Sequence, residues 1–484
     1  MTKIILNGQE VEADPKKPLI HACQKELQDV PTYCYHPGLS AVGSCRMCQV
    51  EVKQGDGPSR IMVACRTPVA EGMVVDTESP RAHETRRECL EFILKNHPLD
   101  CPICDKAGEC DLQDFAFSEG QGQSQTQEDR RNLEKRKDLG ETILLDQERC
   151  VQCSRCVRFF EEVTEKPQLC VADRGSHAVI DTFMGKPLEG NYQGNVADLC
   201  PVGALTLKPF RFQARVWNLQ KVGSTCMECS RGCSTTVEVL RGQDVKRIRP
   251  RFNPDINNYW MCDHGRFAID EANPTPRLET AVLRDATQGW ERLAVEPALE
   301  SAREALMLNA PTSVIVSPFA TQEEARAALS VAQALGAKAT FISPAESVLK
   351  DDLLHTGDPC PNRRGLVDAG FTAVTPDEAL EQLTGAKSAL LIGERVGALV
   401  GAEALAGLPS SLRMVVFDVA APDSPAARVC IPIPNWVEKT GTVINVDGHA
   451  GRIAAARTAP SGVRSLEANL DRLCELLKAT EVQA

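Results

Sequence analysis

Eighteen of the 21 cysteines in this 484-residue chain fall within residues 1–262, and they fall in groups. Cys34, Cys45, Cys48 and Cys65 are separated by 10, 2 and 16 residues. His97, Cys101, Cys104 and Cys110 are separated by 3, 2 and 5. Cys150, Cys153 and Cys156 form a CxxCxxC run, and a Cys200-Pro201 pair follows after 43 residues. Cys226, Cys229, Cys233 and Cys262 are separated by 2, 3 and 28. Four thiolates, or three and an imidazole, are what an iron–sulfur cluster requires. Tetrahedral zinc takes similar sets and is the competing reading, above all for the first and fourth groups.

Two ligand choices within these groups need argument. His97 either completes the second set or merely ends a helix before Pro98. No nearby cysteine offers a better fourth ligand, because Cys89 sits on the apolar side of that helix. An imidazole in place of a thiolate leaves a cluster less negative, which by itself raises its potential. Cys170 competes with Cys200 for the third set, but only Cys200 is followed by proline. Cys23, Cys89, Cys170, Cys360, Cys430 and Cys474 are left over, and they are expected to be small buried hydrophobes.

Composition narrows the setting. Apolar residues make up 43% and charged residues 25% of the chain, as in ordinary globular protein. The N-terminal MTKIILNGQEVEADPKK has no apolar core of a signal peptide, and no run approaches the roughly 20 apolar residues of a membrane span. Closely spaced cysteines in such a chain point to metal or redox chemistry rather than disulfides. The net charge of −12 argues against nucleic acid as a partner. The one basic stretch, Arg241–Arg251, reads as a solvated strand-loop-strand face.

The groups must be held by elements. Residues 1–80 read as a small β-rich unit: Ile4–Leu6 and Val11–Ala13 flank an Asn7-Gly8 turn. Pro18 opens a helix with Leu19, Ala22, Cys23 and Leu27 on its apolar stripe. Val50–Val52 and Met62–Val63 supply short strands, and residues 82–96 a helix with Leu90, Ile93 and Leu94 inward. Residues 121–138 hold one large apolar residue, Leu133, and read as a polar linker or exposed helix. From about residue 275, buried strands at Val314–Val316, Ala339–Ile342, Ala389–Ile392 and Met414–Val419 alternate with alanine-rich helices. That alternation predicts an α/β layer around a parallel sheet, and no glycine-rich nucleotide fingerprint follows any of its strands.

The first set, with its β-grasp-like run-up, resembles plant-type 2Fe-2S ferredoxins. The third resembles the bacterial ferredoxin pattern, reduced to one cluster. The succession of all four resembles the large iron–sulfur subunit of respiratory complex I, an NADH:quinone oxidoreductase, over residues 1 to about 270. The fourth set also resembles the cluster domain of molybdopterin oxidoreductases. Weaker likenesses to that superfamily continue in RLETAVLRDATQGWERLAVEPALE and in EKTGTVINVDGHAGRIAAARTAPSG from Glu438.

The resemblance implies an α+β half followed by an α/β half. The divisions are a 2Fe-2S ferredoxin-like domain (1–80), a 4Fe-4S domain with one histidine and three cysteine ligands (81–120) and a ferredoxin-like 4Fe-4S domain (139–212). A molybdopterin-oxidoreductase-type 4Fe-4S domain (219–274) and a shortened, degenerate molybdopterin-oxidoreductase-like domain (275–484) follow. The resemblance implies one 2Fe-2S cluster on Cys34, Cys45, Cys48 and Cys65. It implies three 4Fe-4S clusters, on His97, Cys101, Cys104 and Cys110, on Cys150, Cys153, Cys156 and Cys200, and on Cys226, Cys229, Cys233 and Cys262. No molybdopterin and no catalytic acid, base or nucleophile is expected, since no convincing metal-ligating cysteine follows the fourth set. Electrons from a flavin-bearing, NADH-oxidising subunit would enter at the 2Fe-2S cluster. They would pass to the Cys150 set and then the His97 set, towards quinone, with the fourth cluster off the path. The other partners would be further hydrophilic subunits of complex I, with the membrane arm reached indirectly from the cytoplasmic side of the inner membrane. The cluster-bearing subunit of an NAD-linked molybdenum or tungsten formate dehydrogenase, or of an NAD(P)-linked hydrogenase, is the alternative.

Overall fold

A computed structural model describes residues 1–26, 29–285, 289–307 and 311–481. They form two compact units, Met1–Asn218 and Leu219–Ala484.

The first unit begins with a five-stranded sheet. Strands β1 (Thr2–Leu6) and β2 (Gln9–Ala13) pair antiparallel across Asn7 and Gly8, whose φ of 49° and 81° suit a tight hairpin. Strands β3 (Gln49–Gln54) and β4 (Arg60–Val63) match the expected pair. Strand β5 (Met73–Asp76), which the sequence does not announce, lies between β1 and β3 and runs parallel to β1. Its four residues alternate buried and exposed, too short a run to stand out from a loop. Helix α1 (Leu19–Lys25) packs Leu19, Ile20, Ala22 and Cys23 onto Ile4, Leu6, Val50 and Val75. Leu27, expected on the same stripe, lies outside the described residues.

Helix α2 (Pro80–Leu94) starts two residues earlier than expected, because Ser79 caps it by accepting from the Ala82 amide at 3.1 Å. Its inward face also differs. Ala82, Arg86 and Leu90 are buried, whereas Ile93 and Leu94 are only half-buried. Arg86 is tolerated there because it donates to the Gln49 and Thr77 carbonyls at 2.8 Å and pairs with Glu119 at 2.9 Å. Residues 121–136 form no helix or strand. Beyond them, a three-stranded sheet (Leu205–Leu207, Ile143–Leu145, Lys137–Asp138) and a hairpin (Leu169–Ala172 with Val179–Thr182) frame the CxxCxxC run.

The second unit opens with an antiparallel sheet of Leu219–Thr225, Ser234–Leu240 and Asp244–Pro250, turning at Arg241 (φ 52°) and Gly242 (φ 72°). Its basic stretch is not wholly solvated: Arg247 is buried and paired with Glu238 at 2.6 Å. An eight-stranded sheet follows. The run from Ala427–Pro432 through Arg413–Asp418, Ser388–Ile392, Thr312–Val316 and Ala339–Ile342 to Thr372–Val374 is parallel throughout, as the apolar strands demand. Ala281–Asp285 and Gly289–Leu293 add an antiparallel edge. Helices on both faces bury two apolar clusters. No helix among the described residues is long and apolar enough to cross a membrane.

Candidate iron–sulfur sites

The first set sits at one margin of the five-stranded sheet. Cys48 immediately precedes β3 and Cys65 follows β4, tied by an Ala64 amide that donates to the Cys48 carbonyl at 2.8 Å. The loop before β3 carries Cys34 and Cys45, and the Cys34 amide donates to the Cys45 Sγ at 3.5 Å. The thiols hydrogen-bond in a chain, Cys45 to Cys34, Cys34 to Cys65 and Cys65 to Cys48. Those bonds hold the Cys34 thiol far below its usual range, while Cys45 and Cys65 are pushed far above it. The continuous chain of contacts brings all four thiols together, as a 2Fe-2S cluster with four thiolate ligands needs.

The second set spans the end of α2 to the start of the helix Asp111–Ser118, which Cys110 precedes as its N-terminal flanking residue. The His97 Nδ1 is buried with no hydrogen-bond partner. Burial pulls its imidazole down to about 4, so the ring is neutral and able to bind metal. Burial pushes Cys104 up and Cys110 up to about 11. Unliganded thiols are therefore protonated here, and a cation is what would make thiolates of them.

The third set converges on one small cavity, lined by Cys150, Cys153, Cys156 and Cys200 together with Leu145 and Ile180. Burial pushes Cys150 up to about 12 and Cys153 up to about 11. Cys170 is elsewhere, exposed in the strand Leu169–Ala172. Cys89 is half-buried and accepts from Gln49 Nε2 at 3.3 Å. These two depart from the expectation of buried leftovers, whereas Cys23, Cys360, Cys430 and Cys474 are buried.

The three sets of the first unit are neighbours. The backbone amide of Asp111, next to Cys110, donates to the Pro201 carbonyl, next to Cys200, at 3.0 Å. Tyr33, beside Cys34, meets Phe115 edge-on with ring centroids 5.4 Å apart. A cavity of about 490 Å³ is bordered by Cys45, His97 and Cys150, one member of each set. Spacing alone does not reveal the groups that fasten these loops. Arg149, buried, pairs with Asp100 at 2.6 Å and Asp146 at 3.2 Å, and its charge acts on both His97 and Cys104. Arg155 and Arg158 lie within and just after the CxxCxxC run. Basic residues interleaved with cysteines are the available signal.

The fourth set lies in the second unit, all four cysteines buried. The Cys226 amide donates to the Cys233 carbonyl at 2.8 Å, closing the loop between two strands. Gly265 has no side chain for a reason: a Cβ there would stand 2.7 Å from the Cys226 Sγ and 3.8 Å from the Cys262 Sγ. Burial raises Cys226, Cys229 and Cys233, and lifts Cys262 to about 12. Asn445, from the GTVIN segment, donates to the Arg231 carbonyl at 3.2 Å and so braces this loop. Among the described residues, no group of three or more His, Cys, Asp or Glu side chains converges on one metal ion.

Four families match the same stretches. Residues 1–80 match the 2Fe-2S iron-sulfur cluster binding domain, and residues 86–124 the NADH-ubiquinone oxidoreductase-G iron-sulfur binding region. Residues 140–206 match the NADH-quinone oxidoreductase subunit 3 ferredoxin-like domain. Residues 222–270 match the NADH-ubiquinone oxidoreductase NDSU1/NuoG-like, 4Fe-4S domain. The chain is 42% identical over 284 residues to the mitochondrial NADH-ubiquinone oxidoreductase 78 kDa subunit of Neurospora crassa, covering 58% of this chain and 37% of that one. It is 38% identical over 296 residues to the NADH-ubiquinone oxidoreductase 75 kDa subunit of Reclinomonas americana, covering 60% and 42%. It is 39% identical over 270 residues to the corresponding NADH-quinone oxidoreductase subunit of Rickettsia bellii, covering 56% and 39%. It thus spans about two fifths of the length of these curated relatives. Through residues 1–270, the chain is similar to the 75 and 78 kDa subunits of NADH-ubiquinone oxidoreductase and to their NADH-quinone oxidoreductase counterpart.

Proposed function

We propose that this chain is an electron-relaying subunit of an NADH:quinone oxidoreductase, holding one 2Fe-2S and three 4Fe-4S clusters on the sixteen residues of the four sets. The observation that carries the reading is the single cavity bordered by Cys45, His97 and Cys150, because a relay needs its centres close together. Bound clusters supply one-electron uptake and release at potentials tuned by ligand type, charge and hydrogen bonding. The chain's own contribution is to bury the ligands, space them and fix the charges around them. No side chain is assigned a role as acid, base or nucleophile.

The partners in this reading are a flavin-bearing NADH-oxidising subunit and other hydrophilic subunits. The chain sits on the cytoplasmic side of the inner membrane and reaches the membrane arm only through them. The names of the relatives, subunits of an oxidoreductase that acts on quinone, support a place within such a complex.

Residues 275–484 are proposed as a degenerate molybdopterin-oxidoreductase-like scaffold without its cofactor. A cleft of about 770 Å³ lies at the ends of the strands Ser388–Ile392 and Arg413–Asp418, where α/β sheets bind ligands. Asp270, Glu271, Glu394, Asp418 and Asp423 line it. The cation that lines it, Arg395, is committed to Glu228 through two bonds of 3.0 and 3.2 Å. Its exposed carboxylates, Asp270, Glu271 and Asp423, repel the phosphate that a molybdopterin carries. Cys360 is fully buried and its thiol donates to the Ile342 carbonyl at 3.7 Å, the setting of a packed side chain. Stoichiometric molybdenum or tungsten in the purified protein would overturn this part.

In assembled complex, Cys153→Ala should abolish NADH-to-quinone electron flux while leaving assembly largely intact. Cys229→Ala should lower stability more than flux. Equal losses of flux and assembly in both variants would contradict the division of roles.

A further inference from the structure

Two guanidinium groups occupy the space among the three sets of the first unit. Arg155 is 8% exposed. Its Nη2 donates to the Tyr35 carbonyl at 2.6 Å, its Nη1 donates to the Leu199 carbonyl at 3.2 Å, and Nη1 stands 3.9 Å from Asp111 Oδ2. Tyr35, Leu199 and Asp111 adjoin Cys34, Cys200 and Cys110, one cysteine from each set. Arg158 is 5% exposed. Its Nη2 donates to the Cys34 carbonyl at 2.5 Å and to the Cys153 carbonyl at 3.3 Å, so one nitrogen touches a proposed ligand of two different clusters. Its Nη1 donates to the Ser40 carbonyl and its Nε to Ser154 Oγ at 3.3 Å.

Every partner of the Arg158 guanidinium among the described residues is a carbonyl or hydroxyl oxygen. A buried cation without a carboxylate is costly unless another negative charge lies close. Thiolate-held clusters on either side would supply it.

We propose that Arg155 and Arg158 are positioning residues of the relay: they lock the three cluster loops together, and their charge poises the 2Fe-2S and the Cys150-set clusters jointly. The inference rests on the cluster reading of the previous section. Positive charge beside a cluster favours its reduced form, so removing it lowers the potential.

The test is an EPR-monitored redox titration of the holoprotein carrying Arg158→Gln or Arg158→Lys. Glutamine keeps a donor and loses the charge; lysine keeps the charge and loses the fork. In Arg158→Gln the reduced-to-oxidised ratio at a fixed ambient potential should fall about tenfold at both clusters, equivalent to about 59 mV for one electron. Arg158→Lys should retain most of the wild-type ratio. A merely structural arginine would change cluster loading but leave the potentials of loaded protein alone. Loss of both signals in the glutamine variant, with both kept in the lysine variant, also supports the role of charge. An unchanged ratio at either cluster in Arg158→Gln overturns the proposal, as does an equal fall or an equal failure to load in the two variants. Wild-type protein without iron or EPR signals would instead sink the cluster reading.

Discussion

Gly203 faces the thiol of Cys104 so closely that a Cβ there would stand 2.2 Å from its Sγ. Gly203 lies three residues beyond Cys200, and Cys104 belongs to the second set, so this contact joins two proposed clusters. The clash is with a ligand atom that a bound cluster would fix, and Arg149 Cδ, 3.6 Å from the same point, limits retreat. Gly203→Ala should cost the His97-set cluster, about four irons per chain, while the 2Fe-2S signal persists. Full iron content in that variant would show the contact to be unimportant.

Cys200→Ser should eliminate the third tetranuclear signal, whereas Cys170→Ser should leave all signals intact. The cavity that gathers Cys150, Cys153, Cys156 and Cys200 excludes Cys170, which is exposed in its hairpin. EPR of the two reduced variants distinguishes the outcomes, and the reverse pattern would reassign the ligand.

The four sets and the turns are legible because their chemistry is local. Cysteine spacing, Asn7-Gly8, Arg241-Gly242 and the strand Ala389–Ile392 all speak within a few residues. The fastening is not legible. Arg158 reaches Cys34 across 124 residues and Arg155 reaches Tyr35 across 120. A sequence does not say which charge will find buried partners. Arg86 is therefore absent from the inward face that periodicity predicts, and Arg247 reads as solvated. Cys170 shows the converse, a cysteine that burial does not claim.

Lys439, in the segment resembling the molybdopterin superfamily, forms a buried pair with Glu324 at 2.8 Å; both side chains are 5% exposed or less. Removing one partner strands a buried charge. Lys439→Met should destabilise the second unit by about 3–5 kcal/mol, and adding Glu324→Gln should recover much of the loss. Urea unfolding of the single and double variants checks this; a double variant no better than the single would contradict it.

Glu394 is buried and its Oε2 has no hydrogen-bond partner. Burial lifts its carboxyl to about 7 from an ordinary 4.5. Between those values the folded chain keeps a proton that the unfolded chain has released, so stability falls as pH rises through that window. Glu394→Gln removes the penalty. It should stabilise the protein by about 3 kcal/mol at pH 8 and by little at pH 4. Unfolding midpoints at both pH values decide, and an equal shift at each would contradict the cause given.

In the function proposed, four sets of ligands hold four clusters. Quantitative EPR of the reduced chain, with iron and acid-labile sulfide counted on the same sample, tests it most directly. About 14 irons per chain are expected, two from a binuclear and four from each of three tetranuclear clusters, with matching sulfide. Stoichiometric zinc with neither sulfide nor EPR signals would contradict it.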